Sequence, residues 1–296
     1  TFVVTQLAMG ITVLIARYLG EKREDQIGSI IGGGTVVFAV ISLVLFVVMV
    51  GFARPIAVLM QAPEEAVELT AAYIRICGAG IFFIVAYNVL SAIFRGLGDS
   101  NSPLLFVFVA CIVNVVGDLV LVAGLGMDAM GAALATVFAQ ALSVVFAIVR
   151  LVKKGLPFTI TGYDFRWNPQ CGKFLQIGLP LALQECLTQG SFLALCAFVN
   201  RLGLEASSGY GVACKIVNFA MLIPSALMQS TSSFVSQNVG AGEQKRAKKT
   251  MFTGIGIGLL VGCFVFVLVF FRGNLLAGIF SADAAVVQRG YEYLKG

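Results

Sequence analysis

The sequence predicts an all-α polytopic membrane protein built from two similar helical lobes, and three observations carry that prediction. Apolar residues make up 59% of the 296 positions and charged residues 12%, about half the charge of an average soluble domain, so most of the length must be solvated by lipid or by other helices. Runs of about 20 apolar residues alternate with short polar turns, which is the length a helix needs to cross a bilayer. One block also occurs twice, 220 positions apart: TFVVTQLAMGITVLIARYLG (1–20), the charged turn EKRED and an apolar run are followed later by MLIPSALMQSTSSFVSQNVG (221–240), AGEQKRAKK and a second apolar run. Gly20 pairs with Gly240, Gly34 with Gly254, Phe46 with Phe266 and Tyr73 with Tyr293. Doubling of this kind in a helical membrane protein points to a transporter with its path between two lobes.

Taken in order, the apolar runs place spans at 1–16, 27–52, 72–94, 103–125, 130–150, 172–198, 207–236 and 250–271, with a further helix opening near 285. Thr1 lies inside the first of these and RGYEYLKG opens the last, so the chain is expected to be the middle of a longer protein. Loop charge tests the order of spans, because successive loops must alternate sides. Loops on one side hold Arg17, Lys22, Arg23, Arg95, Arg150, Lys153, Lys154, Arg166, Lys173, Lys245, Arg246, Lys248 and Lys249; the opposite loops hold Arg54, Arg75, Arg201, Arg272 and Arg289. Thirteen against five assigns the first set to the cytoplasm. The longest polar connection divides the chain into an amino-terminal lobe (1–152), a cytoplasmic linker (153–171) and a carboxyl-terminal lobe (172–296).

Composition excludes several classes. Histidine is absent, and the seven cysteines show no CxxC spacing, so they read as small packing residues and no metal site is expected. The net charge of +5 sits in loops where topology explains it, so no nucleic-acid partner is expected. GLGDS (96–100) follows no strand and is too short for a nucleotide loop.

With topology in hand, several motifs become legible. NVLSAIFRGLGDSNSPLLFVFVACIVNVVGDLVLV (88–122) resembles the signature of the multidrug and toxic compound extrusion (MATE) family. ARYLGEKRE and SQNVGAGEQKRA resemble that family's repeated loop after the second helix of each lobe, while GMDAMGAALATVFAQ (126–140) and QIGLPLALQ (176–184) resemble the starts of its sixth and seventh helices. The resemblance covers essentially the whole chain. It implies a MATE-type bundle of twelve helices in two six-helix lobes, facing each other in a V and alternating between inward-open and outward-open states. Eight or nine helices are represented here, from within helix two to within helix ten. It also implies export of small organic cations in exchange for protons or sodium ions, no cofactor, a monomer, and a multi-pass place in the plasma membrane.

An ionisable side chain at membrane depth costs about 2.5–3.5 kcal/mol even on insertion scales, so each needs a partner, a wet cavity or a function. Asp118 follows Asn114 by four residues, so both occupy one helix face, where an amide can orient a carboxyl group. The resemblance places a polar, often acidic, position here. Asp118 is therefore an ion-coupling candidate with Asn114; the competing reading is a structural hydrogen bond between helices. Glu185, five residues after Pro180, is a second coupling candidate, and sodium-coupled members carry an acid one turn further on, where this chain has Gln189. Lys215 is its expected ionic partner, either as a static pair or as one that opens on protonation. Asn88, Gln140, Gln184, Gln189, Lys215, Asn218 and Gln229 are candidates to line the cavity, though amides also bridge helices.

Two other classes compete with a cation exporter. A lipid-linked oligosaccharide flippase shares the two-lobed design, but anionic headgroups call for cavity arginines, whereas the membrane interior here offers two acids and one lysine. An integral membrane enzyme needs a catalytic constellation, and the sequence shows no histidine and no metal-ligand cluster.

Overall fold

The computed structural model describes residues 2–60, 64–154, 161–201, 203–281 and 283–295. Among them lie eleven α-helices: α1 (Phe2–Gly20), α2 (Asp25–Gly51), α3 (Ala53–Leu59), α4 (Val67–Ala79), α5 (Ile81–Gly96), α6 (Asn101–Asp118), α7 (Asp128–Lys154), α8 (Pro169–Asn200), α9 (Leu204–Gly240), α10 (Gln244–Gly278) and α11 (Ala284–Lys295). Seven are long and apolar enough to cross a membrane, and the bent pair α4–α5 makes an eighth candidate span.

Two elements depart from the sequence reading. The run 72–94, expected as one helix, is broken between α4 and α5 with a bend of 52°. Gly80 sits at the break with φ −87° and ψ 3°, and a Cβ there would run into the Val137 side chain of α7. The missing side chain thus lets α7 wedge against the corner. The short helix α3 was hidden in the tail of a long apolar run; Ala53 and Ala57 bury their methyls against Ala71 and Ile74 of α4. Beyond these, α10 carries a kink at Arg272, where φ is −126° and ψ 16°.

The internal duplication is visible in atomic detail. α1 ends in a turn where the amide of Arg23 donates to the Tyr18 carbonyl at 2.9 Å and Lys22 takes a left-handed φ of 56°. In the second copy Glu243 donates to Asn238 at 2.9 Å, and the left-handed residue is Gly242, φ 77°. This is the helix-ending geometry that glycine adopts without cost and a side chain resists. Lys22→Gly is therefore expected to stabilise the protein by about 1 kcal/mol, the lower end of the left-handed penalty, read as a rise in melting temperature in detergent. The packing of the next helix repeats too. A Cβ on Gly34 would come within 2.8 Å of Ile11, and one on Gly254 within 2.6 Å of Thr231, each partner 220 positions on.

The chain forms two compact units, Thr1–Ala182 with Gly240–Gly242, and Leu183–Val239 with Glu243–Gly296. In the first, α1 is the central helix: Ala8, Ile11, Ile15 and Ala16 are fully buried and pack among Ile27, Ile30 and Phe38 of α2, Val85 and Ile93 of α5, and Phe174 of α8. The approach of α1 to α8 is backbone-close. A Cβ on Gly10 would strike the Phe174 carbonyl, and one on Gly178 would strike the Leu7 carbonyl. The second unit is held by Val212, Ile216 and Ala277 and by an edge-on Tyr210–Tyr293 pair with ring centroids 5.0 Å apart.

A polar network fastens the segment before α8 to α1 and α2. The buried Tyr18 hydroxyl donates to Gln170 Oε1 at 3.0 Å and accepts from Lys173 Nζ at 2.9 Å, and Gln170 Nε2 donates to Gln26 Oε1 at 2.8 Å. Asp164 accepts from the Thr161 amide (2.8 Å) and hydroxyl (2.8 Å) and from the Ser29 hydroxyl (2.7 Å). The Thr161 amide, then Ser29, hold its carboxyl below the usual aspartate range. A depressed folded value means that the attachment is complete at neutral pH and is lost as the pH falls through that value. Amide protection at Thr161 is thus expected to be high at pH 7 and to collapse on acidification, and Asp164→Asn is expected to lower it at neutral pH while removing its acid dependence.

Candidate functional site

The strongest site among the described residues is a polar cluster on α6 and α7 with Tyr73 of α4 near it, and its residues sit there because of helical periodicity. Asn114 and Asp118 lie one turn apart on α6 and point the same way. Gly117, between them, lets α6 approach α7, since a Cβ there would come within 2.8 Å of Ala135. Across that contact, Asn114 Nδ2 donates to the Thr136 hydroxyl at 3.3 Å, and the hydroxyl donates to the Ala132 carbonyl at 2.9 Å. From α4, Tyr73, one turn before Cys77, lies within electrostatic range of Asp118 and near Thr136.

The decisive feature is Asp118 itself. Its Oδ1 is shielded from solvent and has no hydrogen-bond partner. A shielded polar oxygen without a hydrogen bond is costly, which marks the position as one that packing alone does not account for. Asp118 is the last residue of α6 and is followed at once by a π-helical stretch, Leu119–Gly124. Such insertions re-aim the side chains next to them and recur at functional sites. One turn beyond Thr136 on α7, Gln140 also buries its Oε1 without a partner, which extends the polar face.

The other candidates separate clearly. Asn88 is nearly fully buried but spent on structure: it accepts from the Thr5 hydroxyl at 2.7 Å and donates to the Ile84 carbonyl at 2.7 Å, bridging α1 and α5. Glu185 accepts from Gln189 Nε2 at 2.7 Å, one turn along the same helix. The expected Glu185–Lys215 ion pair is not formed: Lys215 lies with its ammonium 5.7 Å from the Phe280 ring. A neighbour already one turn away wins over a lysine on another helix, because no long side chain has to be ordered to reach it. Gln184 and Asn218 are exposed and Gln229 is half-buried.

Unit two contains an apolar cavity of about 320 Å³ walled by Ile216, Met221, Pro224, Val265, Phe266 and Phe270, with Lys295 at its rim. None of the candidate amides lines it. The repeat explains its wall. Phe266 corresponds to Phe46, which in the first copy packs on Phe82 of α5 with ring centroids 5.6 Å apart. The cavity wall is thus the face that Phe82 of α5 covers in the first unit, and its aromatic rings already receive a cation, the Lys295 ammonium, 5.7 Å from the Phe270 ring.

Sequence reasoning missed Thr136 and Cys77 and noted Tyr73 only as a repeat position. The available signal was spacing: Thr136 stands four residues before Gln140 and Tyr73 four before Cys77, so each pair lies on one helix face.

Comparison with known proteins places this architecture. The profile of the MatE family matches residues 1–120 and 180–296. The chain is 28% identical over 238 residues to the probable multidrug resistance protein YpnP of Bacillus subtilis, covering 80% of this chain and 53% of that protein. It is 24% identical over 305 residues to a FAD transporter of Shewanella oneidensis, covering 97% and 66%. It thus spans about half to two thirds of the length of these relatives. Among solved structures, a MOP superfamily transporter from Pyrococcus furiosus superposes with a TM-score of 0.89 at 22% identity, over 99% of this chain and 66% of that one, which establishes a shared fold.

Proposed function

The chain belongs to the MatE family, and on that premise we propose that it is a secondary antiporter exporting cationic amphipathic compounds in exchange for protons or sodium ions. The observation that carries the proposal is the shielded, unpartnered Oδ1 of Asp118, set among Asn114, Thr136 and Tyr73. In one state the carboxyl takes up a proton, or a sodium ion supported by the Asn114 and Thr136 oxygens. In the other it is ionised and attracts an organic cation. Because a single acid serves both, ion and drug compete for it, and competition combined with alternating access gives exchange. Tyr73 offers an aromatic face beside the acid, suited to a flat organic cation.

On this reading the lobes are 1–152 and 172–296, joined by a cytoplasmic linker (153–171), and a monomer in the plasma membrane alternates access between them. Glu185 with Gln189 makes a secondary polar station on α8. The relative named as a FAD transporter supports a second reading, in which an anionic nucleotide is the cargo and Lys215 helps hold it. A lipid-linked flippase would likewise need cationic lining, and the polar cluster on α6 and α7 supplies an acid.

The test is efflux from vesicles holding the full-length protein, loaded with a fluorescent cationic dye or with FAD, under a proton or a sodium gradient imposed separately. Dye efflux driven by one gradient is the expected result. FAD efflux without dye movement would overturn the cation reading in favour of the second.

A further inference from the structure

We propose that Tyr163, Phe165 and Trp167 form an interfacial anchor that lies in the lipid headgroup layer and, with the basic residues around it, gathers anionic lipid. The three rings alternate along the segment before α8 and are 80%, 49% and 69% exposed, so the described residues leave Tyr163 and Trp167 largely uncovered and Phe165 half so. Their depth follows from what holds the segment. Asp164 is bonded to Ser29, Asn168 Nδ2 donates to the Ser29 carbonyl at 2.9 Å, and the close contacts of Gly32 and Gly33 are with Asp164, Asn168 and Cys171. Residues 29–33 lie four to eight positions past the start of α2 at Asp25, so the segment runs beside α2 about 6–12 Å below its end.

That depth is the interface. α2 has 27 residues, about 40 Å of helix, about 10 Å more than the hydrocarbon core, and because its polar residues Asp25, Gln26 and Ser29 are at its start and its other end is wholly apolar, that excess stands in the headgroup layer at the start. Tyrosine and tryptophan favour this layer because each has an apolar body and a hydrogen-bonding tip.

Charge selects the kind of lipid. Arg166 is exposed, with its guanidinium 5.9 Å from the Tyr163 ring, and Lys153 and Lys173 are exposed on either side of the segment in the chain. The one acid in the segment, Asp164, is turned inward and saturated by Thr161 and Ser29. The surface presented to lipid is therefore aromatic and cationic, and its backbone is already fixed, so little ordering cost opposes binding. Each basic residue at such a surface enriches anionic lipid on the order of fivefold.

Trp167 is the only tryptophan in the sequence, and subtracting the spectrum of Trp167→Phe isolates its emission in the full-length protein. The protein is reconstituted in phosphatidylcholine–phosphatidylglycerol vesicles in which one or the other lipid carries bromine near the top of its acyl chain. The expected result is blue-shifted emission, resistant to aqueous iodide, quenched by both brominated lipids and more strongly by brominated phosphatidylglycerol, a preference on the order of fivefold that Arg166→Gln reduces. Quenching by iodide with none by brominated lipid would overturn the anchor, because the rings would then face water or a soluble partner. Equal quenching by the two brominated lipids would overturn the selection of anionic lipid.

Discussion

Replacing Asp118 by asparagine is expected to lower gradient-driven dye efflux by at least about tenfold, the factor that ~1.4 kcal/mol of lost coupling free energy produces. The substitution conserves shape. Asparagine occupies the same space, but it cannot exchange a proton or present a negative charge. The shielded Oδ1 has no hydrogen bond to lose, and the residue is only half-buried, so stability should change little. A coupling role and a structural role therefore separate in one experiment: the first abolishes efflux with the melting temperature preserved, and the second lowers the melting temperature with efflux per folded molecule preserved. The wild-type gradient that drives efflux identifies the ion.

The second large effect is structural. Gly178→Ala is expected to destabilise the protein by about 1–3 kcal/mol, because its new methyl meets the Leu7 carbonyl of α1, and a backbone group in a packed helix cannot swing aside. Gly10→Ala should behave alike, since its Cβ meets the Phe174 carbonyl from the other side of the same contact. The control lies on the same helix. Gly172 has open space around its missing side chain, so Gly172→Ala is expected to be neutral or to stabilise by up to about 1 kcal/mol through helix propensity. Thermal unfolding of the three variants in one detergent checks this. Equal effects at Gly172 and Gly178 would show that helix propensity, and not the α1–α8 contact, sets the response.

Most of the architecture was legible because apolar run length and loop charge are strong local signals in a membrane protein. The duplication was readable from residue matches alone, and the pairing of Gly34 with Ile11 and of Gly254 with Thr231 shows its physical basis: the same helix crossing is built twice. The bend at Gly80 was not readable, because it depends on Val137 arriving from α7, and a glycine in an apolar run looks the same whether or not a partner fills its notch. The site divides in the same way. Asn114 and Asp118 could be paired because four-residue spacing is a local fact, whereas Thr136 and Tyr73 are brought to them by tertiary packing. Glu185 shows the reverse error, in which a distant ionic partner was expected and a local amide prevailed.

The central claim is that one carboxyl, Asp118, alternates between coupling ion and organic cation. It is tested most directly by measuring ion release when dye binds to the purified full-length protein, with a pH indicator for protons and a sodium-sensitive dye for sodium, in wild type and Asp118→Asn. The account predicts that dye binding releases one of the two ions from wild type and neither from the variant. Release that persists unchanged in Asp118→Asn would contradict it, and would place the exchange at another group.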